Sequence, residues 1–155
     1  MTADLTWREF EQANRDIALA GNQLLHQFGI GLAFIATTRK DGGPRLHPCC
    51  PLLHDGHLYV FITGASPKRF DLVRDGRYAL HSFPPAETDD EFYCSGRAYA
   101  VIDESLRSAL AEEAKHNVRD DEVLFELKLD RALHTTWVNA RQPDTYPIHR
   151  TWRAD

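Results

Sequence analysis

The run Phe34-Ile-Ala-Thr-Thr-Arg-Lys-Asp-Gly-Gly-Pro-Arg45-Leu-His-Pro48 decides the reading of this chain, together with three shorter pieces downstream. These are Asp55-Gly56, the apolar stretch Leu58-Tyr-Val-Phe-Ile62, and Thr63-Gly-Ala-Ser66-Pro67-Lys68-Arg69. Asp41-Gly42 and Asp55-Gly56 are dipeptides that supply the positive φ angles of tight hairpin loops, so the segment predicts a meander of three strands. The meander ends at Ser66-Pro67, an N-cap followed by the first-turn proline that a helix tolerates. A helix start presents unpaired N–H groups and a partial positive charge, and Lys68 and Arg69 add two full charges within the same turn. Such a terminus suits an anion.

Working outward, strand patterns cover residues 30–38, 46–53, 58–63 and 78–83, with a short helix over about 67–74. Upstream, Thr6 and Glu9 have the spacing of a capping box, and a single helix is expected over about 6–28. Its buried stripe is Trp7, Phe10, Ala13, Ile17, Ala20, Leu24, Leu25 and Phe28, and Gly29 is placed to stop it. Downstream, Pro84 to Asp90 breaks regular structure, and Asp89, Asp90 and Glu91 read as a solvated acidic loop. Phe92, Cys94, Gly96, Ala98 and Ala100 then alternate with larger or charged residues, which describes a strand with one crowded face. Asp103 caps a helix to about His116, a long strand covers 123–137, and a last one covers 148–152. A leading helix and two short helices around six or seven antiparallel strands describe a mainly β (α+β) barrel with covered ends, not a βαβ sheet. The 155 residues fit one domain, with the barrel over about 30–153.

The net charge of -5 and the pI near 5.9 give no basic field for a nucleic acid backbone. The start lacks the basic and then apolar pattern of a signal peptide, and no apolar run approaches the roughly 20 residues of a membrane helix. A soluble, cytoplasmic protein that binds neither nucleic acid nor membrane is expected. Cys49, Cys50 and Cys94 are an odd number of thiols and do not indicate a disulfide framework. Cys49 and Cys50 point to opposite faces of a strand and cannot easily grip one metal, so they read as small buried apolar residues. His54 and His57 flank the Asp55-Gly56 turn and are expected to face solvent, which argues against metal or haem ligation with His47. No Ser-His-Asp order or paired-carboxylate spacing supports hydrolysis.

The ordered set Gly43-Pro-Arg45-Leu-His47-Pro48, Thr63, Ser66-Pro67-Lys68 and Asp75-Gly-Arg-Tyr-Ala-Leu80, ending in a late Trp137 and Trp152, resembles the pyridoxamine 5′-phosphate oxidase-like family. These are the FMN-binding split β-barrels, and the likeness covers most of the chain. It implies that Arg45, Ser66 and Lys68 hold the FMN phosphate, with Arg69 adding charge. It places His47, Pro48, Ile62 and Thr63 along the flavin ring, His47 alternatively being a structural strand histidine. It implies that Trp137, and Arg150 beside it, reach the flavin from the second subunit of a homodimer. True oxidases of the family carry an Arg-x-His-Asp-Arg motif near the C-terminus that grips their substrate. This chain reads Ile148-His-Arg-Thr-Trp-Arg153 instead. The resemblance therefore implies FMN binding but not vitamin B6 oxidation. The leading expectation is an FMN-dependent oxidoreductase of an unidentified small molecule. The alternatives are a reductase using the deazaflavin F420, a non-catalytic flavin-binding protein, and a haem-binding split barrel.

Overall fold

The structure, a computed structural model, describes residues 3–155. Its centre is an eight-stranded antiparallel sheet in which Pro44–Cys49 (β2) and Pro51–His54 (β3) are separated by Cys50 alone. The other strands are Ala33–Thr38 (β1), His57–Thr63 (β4), Arg77–Ser82 (β5), Glu91–Ala100 (β6), Glu122–Val138 (β7) and Tyr146–Arg153 (β8). The path of paired strands is β2-β1-β5-β6-β7-β4-β3, with β8 added on β7. Its two ends, β2 and β3, are successive halves of one chain segment, so the sheet curls back on itself as a split barrel. The expected single strand over 46–53 is thus two strands. Proline cannot donate to a ladder, and Pro48 and Pro51 on either side of Cys50 prevent one continuous set of bonds to both neighbours.

The β3–β4 connection is the two-residue turn that Asp55-Gly56 predicts, with φ of 47° and 78° at the two positions. The β1–β2 connection is longer than a tight turn. Thr38 pairs with Pro44, leaving a five-residue loop in which only Gly42 has a positive φ, and the Asp41 carboxylate accepts from the Gly43 N–H.

The apolar run 58–62 has no polar break because β4 is covered on both sides. Leu58, Val60 and Ile62 enter the main core with Phe10, Ile17, Ile35, Leu80, Phe92, Phe125 and Leu127. Tyr59 and Phe61 on the other face meet Leu110 of Glu104–Glu113 (α4). The crowded face of β6 is as expected from Phe92 to Ala98, all inward, whereas Ala100 is exposed. The helix α4, capped by Asp103, stops at Glu113 and does not reach His116.

The N-terminal helix expected over 6–28 is two helices, Trp7–Ala13 (α1) and Arg15–Leu25 (α2). The Thr6/Glu9 capping box starts the first. Asn14 then ends it and caps the second, its Oδ1 accepting from the Ile17 N–H. Asparagine competes for backbone donors in this way, and the redirection changes the buried stripe. Ala18 and Gly21 are buried, while Ala13 and Phe28 are exposed. Gly29 lies in a turn beyond the helix, which ends at Leu25.

Candidate functional site

Pro67–Arg74 (α3) crosses the end of the barrel beside β1 and β2, and the sequence sets its start. Pro67 takes the first-turn position. Ser66 has the extended backbone of an N-cap, but its side chain makes no capping bond, contrary to the expectation, and the hydroxyl is left available.

The face that α3 turns to the barrel carries Asp71 beside Leu72, which is buried in the main core. Phe70 and Val73 are exposed, while Asp71 is buried at 2% exposure. A buried carboxylate is tolerated only when bonded, and Asp71 is held three ways. Thr37 Oγ1 donates to Oδ2 at 2.8 Å, Arg45 Nε donates to Oδ2 at 2.7 Å, and Arg74 Nη2 donates to Oδ1 at 3.1 Å. Burial raises the Asp71 pKa, but these bonds outweigh it and hold the carboxyl below its ordinary range. Sequence reasoning did not find Asp71. Its partners Thr37 and Arg45 are remote in the chain, and the one local signal was an acid between two apolar residues.

Arg45, His47 and Cys49 alternate along β2 on the face shared with Thr37, Ile35 and Ala33 of β1. His47 is held below its ordinary pKa by burial first, then by the charges of Lys68 and Arg45, with Asp71 opposing. Lys68 also acts on Cys49, whose thiol burial pushes up to about 12. The start of α3 and the inward face of β2 therefore share one cationic neighbourhood. Lys68 has no ion-pair partner among the described residues. Arg69 lies over the Phe70 ring, 4.7 Å from its centroid, and its buried Nε lacks any hydrogen-bond partner.

Of the sequence-predicted residues, the structure brings Arg45, His47, Ser66, Lys68 and Arg69 to this end of the barrel. Thr63 closes β4 just before them, its carbonyl accepting from the Ser66 N–H at 2.9 Å. The Ile62 side chain lies in the core. Pro48 stands on the opposite face of β2 from His47, so the two do not present side chains to one surface.

Trp137 and Arg150 are elsewhere. Thr63 pairs with Glu122 at one end of β7, and Trp137 lies near the other, a contour of roughly 50 Å at about 3.3 Å per residue. There the indole N–H donates to Glu91 Oε2 at 3.4 Å, in a groove of about 400 Å³ with His81, Pro84, Asp89, Asp90, Arg141 and Thr145. Arg150 pairs with His134 across β7 and β8. Asp90 and Glu91 thus contact Trp137 and are not simply a solvated loop. The histidines at the β3–β4 turn remain 34% and 35% exposed, and each meets a carboxylate. His54 meets Glu113 and His57 meets Glu126, each at 2.6 Å.

The carboxylates around α3 predict acid sensitivity. Asp75 is depressed from an ordinary 3.8 to about 2, mainly by hydrogen bonds from the Arg77 side chain. A carboxyl whose folded pKa is depressed contributes stability above its unfolded pKa and loses it as pH falls through the folded value. Urea-denaturation stability is therefore expected to fall between about pH 4 and pH 2. Asp75→Asn should flatten that limb, and an unchanged slope would show that Asp75 is not linked to folding.

No protein-family model matches the chain, and no curated protein matches it. Solved structures do. A Clostridium acetobutylicum protein related to general stress protein 26 of B. subtilis, described as of the pyridoxinephosphate oxidase family, has a TM-score of 0.65 at 11% identity. The match covers 90% of this chain and 96% of that one. A heme binding protein from Mycobacterium smegmatis has a TM-score of 0.58 at 14% identity, covering 83% of this chain but spanning only 57% of that one. An F420 reductase has a TM-score of 0.53 at 15% identity, covering 65% of this chain and 87% of that one. At these identities the likeness is one of fold alone: the chain shares with these proteins an antiparallel split β-barrel.

Proposed function

We propose that the chain binds FMN at the interface of a homodimer and serves as a flavin-dependent oxidoreductase for a small molecule in the cytoplasm. The observation that carries this reading is the cationic neighbourhood at the start of α3. A helix N-terminus already carries partial positive charge, and cations there are unfavourable by a few tenths to one kcal/mol each unless an anion joins them. Here Lys68 has no ion-pair partner among the described residues, the Ser66 hydroxyl is not used as a cap, and a buried Arg69 nitrogen lacks a partner. A phosphate dianion fits that donor set. Arg45, Ser66, Lys68 and Arg69 would hold it, with the ring running past His47 and Thr63 and along the backbone near Pro48 and Ile62. The flavin supplies the redox chemistry when bound, and the protein supplies position, polarity and exclusion of water.

The second subunit is needed because Trp137 and Arg150 lie far along β7 and β8 from α3 within one chain. The outward face of the sheet supports such a partner. Pro48, Phe34, His81, Tyr93 and Leu133 form one row across five strands, and Leu46 beside it is 66% exposed. An apolar sheet face of this extent suits a second copy. Light scattering with FMN present is expected to give twice the 17.7 kDa chain mass, and a monomeric mass would remove the shared site.

The visible spectrum of the purified or reconstituted protein tests the cofactor. FMN absorbs near about 450 nm, oxidised F420 near about 420 nm, and haem gives a Soret band. A flavin spectrum with no turnover of any reductant or acceptor would favour a flavin-binding protein without catalysis. Because Ile148 to Arg153 lacks the substrate motif, FMN-loaded protein is expected to form pyridoxal phosphate from pyridoxamine phosphate no faster than free FMN does. Steady-state product assays decide this, and efficient turnover would overturn it.

A further inference from the structure

Asp71 presents a difficulty for any anion site at the start of α3, since it places a buried negative charge among the very cations that would hold a phosphate. Its bonding resolves the difficulty. An ionised carboxylate only accepts, and Asp71 takes one N–H from Arg45, the Nε, at 2.7 Å. A guanidinium is planar with five N–H donors in a fixed fork, so fixing Nε also sets the plane in which both terminal nitrogens lie. Neither terminal nitrogen of Arg45 has a hydrogen-bond partner among the described residues, and the side chain is 26% exposed. Thr37 Oγ1 and Arg74 Nη2 hold the carboxylate itself, so the orientation is passed on from β1 and α3. Arg45 and Arg74 both pair with Asp71, and Lys68 and Arg69 precede it on the same helix, so the cations outnumber the one carboxylate.

We infer that Asp71 is a positioning residue, which grips the Nε of Arg45 so that the terminal N–H groups of that arginine are presented to an anionic phosphate. This rests on the proposed phosphate site and adds the residue that organises it. A carboxylate that merely pins α3 to the barrel would give the same three bonds, so the test must read phosphate recognition separately from folding.

FMN and riboflavin share the ring and differ by the phosphate, and fluorescence-quenching titrations give both dissociation constants for the full-length protein and its variants. Asp71→Asn is expected to raise the FMN constant roughly tenfold and leave the riboflavin constant within about twofold. Arg45→Ala should do the same. Because Asp71 acts through Arg45, Asp71→Asn made in the Arg45→Ala background should weaken FMN no further. Effects that multiply, or an Asp71→Asn protein that weakens both ligands equally or neither, would overturn the assignment.

Circular dichroism shows whether Asp71→Asn folds. If it does not, Arg45→Lys decides. Lysine keeps the charge and one bond to Asp71, but a single ammonium lacks the fork that bridges carboxylate and phosphate. A folded Arg45→Lys protein should lose most of its preference for FMN, and wild-type preference in it would sink the inference. Wild-type protein that binds both ligands equally would remove the phosphate reading itself, and the role of Asp71 with it.

Discussion

Lys68→Ala is expected to weaken FMN binding roughly ten- to a hundred-fold while leaving riboflavin affinity nearly unchanged. The magnitude is that of one charge-assisted hydrogen bond, about 1.5–3 kcal/mol. The selectivity follows from position. Lys68 lies in the first turn of α3, where a cation opposes the helix dipole, and it has no carboxylate partner among the described residues. It is half-buried, and its charge lowers the pKa of both His47 and Cys49 on the inward side of β2. Titrations of both ligands against wild type and variant give four constants. Equal weakening of FMN and riboflavin would assign Lys68 to the ring or the fold, and the phosphate clamp would be wrong.

Gly96→Ala is expected to cost about 3 kcal/mol or more, because its new methyl would have no room. A Cβ at that position falls 1.9 Å from the Lys128 carbonyl oxygen and 2.8 Å from the carbonyl carbon, both backbone atoms of the neighbouring strand. The register between β6 and β7 shifts between Ser95 and Gly96, so this close backbone approach coincides with a bulge in which Asp130 of β7 is left without a pair. Relief requires opening the ladder at the middle of the barrel. For a chain of this size about 3 kcal/mol corresponds to a melting temperature lower by roughly 6–12 °C. Thermal melts followed by circular dichroism measure it. A shift within about 2 °C would show that β6 and β7 do not approach this closely.

The local devices of this fold were legible in the chain because each is made by residues a few positions apart. The Thr6/Glu9 capping box, the Asp55-Gly56 turn, the Pro67 start of α3 and the Asp103 cap stand where their chemistry puts them. Alternation along 92–98 and 125–130 likewise marked β6 and β7, because a strand buried on one face repeats every two residues. Barrel class followed from the order of these pieces. Ser66, Lys68 and Arg69 were legible as neighbours at one helix start, whereas Arg45, remote in the chain, was joined to them by the resemblance to split barrels.

Tertiary structure decided what depends on residues far apart. Apolar periodicity ran through Asn14 unbroken, yet the chain turns there because packing against the barrel favours two short helices over one long one, and asparagine can cap the break. The segment 46–53 has the composition of one strand, but closing the barrel requires its two halves to pair with different neighbours, β1 and β4. Asp71 was not singled out on its short helix. Only the docking of α3 against β1 and β2 buries it and supplies Thr37 and Arg45 as partners. Trp137 could be named from the sequence, but its separation from α3 could not, since that depends on how far β7 runs along the barrel. Caps and turns are short-range bonds written in neighbouring residues, whereas burial and partner choice are set by whichever distant surface the folded chain brings against them.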